Sequence, residues 1–531
     1  MEPLDLLVGR IAFDGRVDDR RPLVWGGPLP SELASERSLL QAGDPELRAL
    51  DGLLAALAAK DDRGRLVSGV AGIATLHRAA DGGIEAFSTH AVAAAWLAAG
   101  RVSIAAESIP ELIAHDYVGG EQSLIAGVRV LPPAMRIDFT PDGTNVASYW
   151  PASERWERLP EDRAYDHAER SLLDSLARRA SGGGLHVALT GGLDSRVVAL
   201  ALHELGRSAG TFTWGEPGWD DVETAARIAQ ILGFEHVRQP VDYREDAEAL
   251  RQVDSEVRWT EGITAVRFAA QTWPREVDAV VYGSGGEIGR AFHYGRELAR
   301  AFPTPSEPDL RRVFDGRARL HGAHREALGH LRNSEREWIA AAGALGATGW
   351  RCLDVVYAEQ RVHRWGRSQL PRLEGFTVPA FVHPEIARAL VSLPLADRVT
   401  DAFHRRFLAR LPALAVSPPP PLHRQSPLRR ALTRVPAARR ALMAWRQRRG
   451  PGTQGRWPLA DAWPSRPLLR SWIAEEALGS ALIAEALGPR WASRTRAGFM
   501  EDQTVDTQNA LLAAAPYSLQ RALQDLNKAE S

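Results

Sequence analysis

Apolar and polar positions change rhythm near residue 165, and the change divides the chain into two regions. In the first, short alternating stretches at 72–79, 84–89 and 101–106, broken by the turn Asp81-Gly82-Gly83, predict antiparallel strands. A second pair, 128–131 and 135–139, flanks Pro132-Pro133 and closes at Pro141-Asp142-Gly143. Beyond residue 165 the period lengthens. A helix over 165–179 leads through Ser181-Gly182-Gly183-Gly184 into an apolar strand, after which Val197, Val198, Ala201, Leu202 and Leu205 make one helical face that Gly206 stops. Residues 211–214 read as a second strand. The next helix keeps Val222, Ala225, Ala226, Ala229 and Leu232 in phase, is led by Asp220, Asp221 and Glu223, and ends at Gly233. A further strand over 278–282 enters Gly283-Ser284-Gly285-Gly286-Glu287. Alternating strands and helices predict an α/β fold with a parallel sheet, whose ligands sit at the carboxyl ends of the strands.

Composition narrows the class. A chain of 531 residues exceeds what one hydrophobic core usually supports, and 45% hydrophobic content is ordinary for a globular protein, so two or more domains are expected. A net charge of −1 gives no global drive toward nucleic acid or an anionic membrane. Cys352 is the single cysteine, which excludes an internal disulfide and a thiolate metal cluster. Residues 1–27 carry scattered charges without an apolar core, and no window approaches a membrane span, so a cytoplasmic protein is expected.

The most informative run is His186-Val187-Ala188-Leu189-Thr190-Gly191-Gly192-Leu193-Asp194-Ser195-Arg196. The glycine pair lets backbone amides approach an anion, Thr190 and Ser195 add hydroxyl donors, and the following helix points its positive end at the same place. Asp194 suits an anion site only if a divalent cation bridges it to the phosphates, and magnesium takes such oxygen ligands. An ordinary strand-to-helix turn is the bland alternative, and it needs neither two hydroxyls nor an acid. Leu189, Thr190, Gly191, Gly192, Asp194 and Ser195, with Thr213, Gly283 and Ser284, form the candidate nucleotide-binding set.

At these residues the chain resembles the ATP-pyrophosphatase family, whose loop reads Ser-Gly-Gly-x-Asp-Ser, with Thr190 in the first serine position. The loop is not of the Walker type, since no lysine follows the glycines and Lys60 and Lys528 are the only lysines. Within that family the chain is similar to the asparagine-synthetase-like branch, which carries a Gly-x-Gly-Ala-Asp-Glu turn after a buried strand. Glu287 stands where the branch has aspartate. The resemblance makes Glu287 a second magnesium ligand; otherwise it caps a helix beginning near Ile288. It also implies a domain plan of a glutamine-amidotransferase-like αββα sandwich of the N-terminal-nucleophile hydrolase kind over 1–150, followed by an ATP-pyrophosphatase domain over 165–531. Members that use glutamine place a cysteine directly after the initiator methionine, whereas this chain begins Met1-Glu2-Pro3, so the first domain is expected to be degenerate.

The implied chemistry is adenylation of a carboxylate by ATP and attack by an amine already present on the substrate. Relatives that close lactams use a glutamate and a late lysine. Glu374, in Arg372-Leu373-Glu374-Gly375-Phe376, is the candidate base, although the family pattern would put the acid at Gly375. Arg424 in Pro421-Leu422-His423-Arg424-Gln425 is the late basic residue, able to steady an oxyanion but not to shuttle a proton. Arginines crowd the stretch 422–449 within a Pro/Arg/Gly-rich segment spanning 417–455, which reads either as a basic surface for an acidic peptide or partner protein or as a solvated insertion. The chain resembles both lasso-peptide macrolactam cyclases and β-lactam-forming synthetases. The expected substrate is therefore a peptide or a small amino-acid derivative, with a precursor-binding protein or protease as possible company. A nucleotide-binding relic without ligase activity, in a polysaccharide or secondary-metabolite pathway, is the alternative from another class.

Overall fold

The computed structural model describes residues 23–25, 33, 35–48, 50, 55–60, 63–73, 75–179, 184–215, 217–242, 250, 253, 257, 260–262, 270–271, 277–291, 294–365, 376–414, 470–501 and 504–529. The amino-terminal region builds two antiparallel sheets. Strands β1 (Leu23–Trp25), β2 (Ala55–Lys60), β3 (Arg63–Ser68), β7 (Met135–Thr140) and β8 (Gly143–Ser148) form one, in the order β1-β2-β3-β7-β8. Strands β4 (His77–Asp81), β5 (Ile84–Ser88) and β6 (Val128–Val130) form the other, in the order β5-β4-β6.

Alternation along β2 explains how the sheets stack, because successive side chains leave opposite faces. Ala55 and Leu57 join Leu66, Ile137, Leu76 and Leu131 in an apolar cluster that Phe87 of β5 also touches. Ala56 and Ala58 face the other way, packing with Leu39 and Leu47 of the short helices Glu36–Gln41 and Asp44–Leu47. Helix Ala91–Ala99 covers the outer face of the smaller sheet through Val92, Ala94 and Ala95 against Ala79, Ala86 and Val128. The layers therefore run helix, sheet, sheet, helix.

Three expectations need correction here. Residues 101–106 form no strand, only an isolated bridge from Ile104 to Ile125. The stretches 128–131 and 135–139 do not pair with each other: β6 joins β4 and β7 joins β3, so Pro132-Pro133 passes the chain from one sheet to the other. The strand foreseen over 72–79 begins only at His77.

After helix Glu161–Arg179 the second region forms a five-stranded sheet from β9 (Leu185–Ala188), β10 (Gly210–Trp214), β11 (Glu235–Gln239), β14 (Ala279–Tyr282) and β15 (Phe376–Pro379). Every pairing is parallel, in the order β11-β10-β9-β14-β15. A separate two-stranded ribbon joins β12 (Val241–Asp242) to β13 (Ala270–Gln271). Helix Leu193–Glu204 buries Val197, Val198, Ala201 and Leu202 as the apolar phase foresees, and helix Asp220–Leu232 ends at Gly233, whose φ of 70° is the left-handed cap that glycine adopts without strain. Chain direction across the sheet reverses between β9 and β14. That is the switch point at which open α/β sheets place their ligands.

The two regions share a core. One apolar cluster runs from Val92, Ile109 and Leu112 to Trp472, Ile483, Trp491 and Leu519, so the carboxy-terminal helices pack on the amino-terminal layers. Among the described residues no helix is long and apolar enough to cross a membrane.

Candidate functional site

Both glycine turns lie at the switch point, one after β9 and one after β14. Leu189 extends the β9 ladder by donating its amide to the Phe212 carbonyl at 2.9 Å, and its own carbonyl accepts from the buried Thr213 hydroxyl. The loop then braces itself. Thr190 N donates to Ser195 Oγ at 3.1 Å, Gly192 N to Thr190 Oγ1 at 3.1 Å, and Gly191 N to Asp221 Oδ1 at 3.0 Å. Arg196, fully buried behind the loop, donates to the Gly191 carbonyl at 2.7 Å. The two hydroxyls assigned to an anion thus also set the loop's shape, while Thr190 and Gly192 remain exposed at its surface.

The second turn presses on the first. A Cβ on Gly283 would lie 2.8 Å from Ser195 N, and one on Gly286 would lie 2.4 Å from Asp194 Oδ1, so neither position has room for a side chain. Gly285 holds φ 89°, and its amide donates to Glu287 Oε2 at 3.1 Å, while the Ser284 carbonyl accepts from Phe381 N at 3.3 Å. Glu287 lies within the short turn Gly286–Gly289, and no longer helix begins there.

Asp194 is the electrostatic centre. Its Oδ2 receives Arg290 Nη1 at 2.8 Å, and His404 Nε2 lies 2.8 Å from Oδ1 without hydrogen-bond alignment. Burial pushes the Asp194 carboxyl up, but Arg290 and His404 outweigh it and hold it below the ordinary carboxylate range. Glu287 goes the other way, raised by burial and by the Asp194 charge. Arg290 Nε also reaches Asp401 Oδ1 at 2.9 Å, and Arg296 bonds the same oxygen. Ala291 (φ 52°) and Asp401 (φ 58°) both hold left-handed backbone, at a cost of roughly 1–2 kcal/mol each. Tyr357 and Arg361, whose electrostatic influence reaches Glu287, occupy a π-helical turn, Tyr357–Val362, with Arg361 Nη1 3.5 Å from the Tyr357 hydroxyl.

The structure therefore brings Leu189, Thr190, Gly191, Gly192, Asp194, Ser195, Thr213, Gly283, Ser284 and Glu287 to one end of one sheet. Glu374, His423 and Arg424, with the segment 417–455, lie outside the described residues. Sequence reasoning missed Arg290, His404 and Asp401. Only Arg290, three positions after Glu287, carried a local signal.

Among the described residues no three His, Cys, Asp or Glu side chains are grouped to hold a divalent cation. Two carboxylates suffice where phosphates and water supply the remaining oxygens, as magnesium commonly requires, and the buried Asp194 Oδ1 lacks an aligned donor. The residues fit a cation that arrives with phosphate.

Residues 167–342 match the family model described as asparagine synthase, a stretch that contains β9, β10, β11, β14 and both glycine turns. No curated protein matches the chain. The match supports an asparagine-synthetase-like, ATP-using carbon–nitrogen ligase.

Proposed function

We propose that this protein adenylates a substrate carboxylate with ATP and joins it to an amine of the same substrate, in the manner of a peptide macrolactam cyclase. The observation that carries the reading is the meeting of the two glycine turns at the switch point, where Gly283 and Gly286 press on Asp194 and Ser195 beside the exposed Thr190 and Gly192. A carboxylate oxygen attacks the α-phosphate, pyrophosphate leaves, and the amine then displaces AMP from the mixed anhydride as an amide forms and a proton is released. A magnesium ion held by Asp194 and Glu287 would neutralise charge on the phosphates. The loop backbone binds and orients them, and the end of the sheet next to Thr213 receives the nucleoside. Glu374 and Arg424 are proposed as base and oxyanion partner.

The amino-terminal region is proposed to be a degenerate amidotransferase sandwich. Its helix–sheet–sheet–helix layering supports that assignment. Cys352, the sequence's only cysteine, supports the loss of glutaminase chemistry: it is buried in the second region, donates Sγ–H to the Ala347 carbonyl at 3.2 Å, and has its thiol pushed up by burial. Mass spectrometry tests the proposal. A substrate carrying both groups becomes lighter by one water with ATP present, and glutamate release from glutamine stays at the uncatalysed level. Glutamine consumption coupled to product formation contradicts it.

A further inference from the structure

We propose that Arg290 is a pyrophosphate-binding residue parked on Asp194, and that a divalent cation taking Asp194 releases its guanidinium to the phosphates. The inference rests on the adenylation reading and adds a residue that the loop motif does not contain. Its first support is position. Arg290 lies between Asp194 (2.8 Å) and Asp401 (2.9 Å) with its side chain 20% exposed, and the acid it holds belongs to the loop on which Thr190 and Gly192 are exposed.

The second support is redundancy. Removing one partner from a buried ion pair is costly because the other charge is stranded. Here neither acid would be stranded: Asp401 keeps Arg296, and Asp194 takes the incoming cation in exchange. Arg290 is the cation the two acids share, and therefore the one able to leave. Third, the sequence places no lysine in the loop. The only lysines, Lys60 and Lys528, lie in β2 and at the end of the last helix, whereas a planar guanidinium suits paired phosphate oxygens. Fourth, Ala291 and Asp401, on either side of the ion pair, both hold left-handed backbone without being glycine, the kind of local strain that gathers at switching sites.

Calorimetric titration of inorganic pyrophosphate into the intact protein, with magnesium and separately with a chelator, tests the proposal. Arg290→Met should weaken binding by about tenfold or more with magnesium, and by less than about threefold with chelator, where Arg290 of the unaltered protein stays on Asp194. Arg290→Lys keeps the charge but loses the fork, and should show the same contrast at smaller size; circular dichroism confirms folding, and the lysine variant decides if the methionine variant does not fold. Equal weakening under both conditions, or none, overturns the inference while leaving adenylation standing. An unaltered protein that binds neither pyrophosphate nor ATP overturns the adenylation reading itself.

Discussion

Asp194 sits where a helix begins, beside a turn with no space for a side chain, and within reach of an arginine 96 residues away. Its carboxylate is held low by Arg290 and His404 against the push of burial, whereas Glu287 is raised by burial and by Asp194, so the two acids are not equivalent. Substitutions that keep shape and remove charge should separate them. Asp194→Asn should cut ATP–pyrophosphate exchange by roughly a thousandfold or more, and Glu287→Gln by less, with far-ultraviolet circular dichroism unchanged for both. Near-normal exchange in Asp194→Asn would remove the assignment. At this scale the turn proposed to hold phosphate was legible as a strand-to-helix connection, because its glycines, hydroxyls and acid fall inside six positions. His404 and Asp401 were not, because side chains that meet across 111 positions and more leave no spacing to read.

Among elements, those with a strong apolar period were readable. Strand β10 and helices Leu193–Glu204 and Asp220–Leu232 lie within a residue or two of their expected bounds. β2 was not foreseen, since Ala55-Ala56-Leu57-Ala58-Ala59 has little strand propensity and is extended because both its faces are buried between layers. The π-helical turn Tyr357–Val362 was also invisible, and it links the two regions. Glu359 accepts from Arg155 at 2.9 and 3.1 Å, Gln360 accepts from Gly120 N at 2.7 Å, and Arg364 in the next turn donates to the Gly120 carbonyl. His363 lies between these groups, buried against Gly72, its protonation opposed by burial first and then by Arg364, Arg155 and His77. Its folded pKa is depressed, so the unfolded chain binds the proton first, and stability present above about pH 6.5 is lost as pH falls. A single such proton contributes at most about 1.4 kcal/mol per pH unit. Melting temperature measured from pH 7.5 down to 5.5 should therefore fall, and His363→Gln should flatten the slope; an unchanged slope would show that other groups carry it.

For the molecule as a whole, the parallel sheet and the change of architecture near residue 165 could be read from periodicity. The shared core could not, because Val92 and Leu112 meet Trp472, Ile483 and Leu519 only after the chain has run through the sheet. This packing, with the contacts of Gln360 and Arg364, makes the amino-terminal layers part of the same body as the site. Their proposed loss of glutaminase chemistry leaves them a supporting role. A lysine-free loop of this kind is proposed to hold pyrophosphate, not to pass a γ-phosphoryl group to an acceptor. The most direct test is the identity of the nucleotide products. Incubated with ATP, magnesium and a fraction of small peptides and amino-acid derivatives, with Asp194→Asn as the control for contaminating enzymes, the protein should yield AMP and pyrophosphate in equal amounts by chromatography. ADP and orthophosphate, lost in the control, would contradict the account.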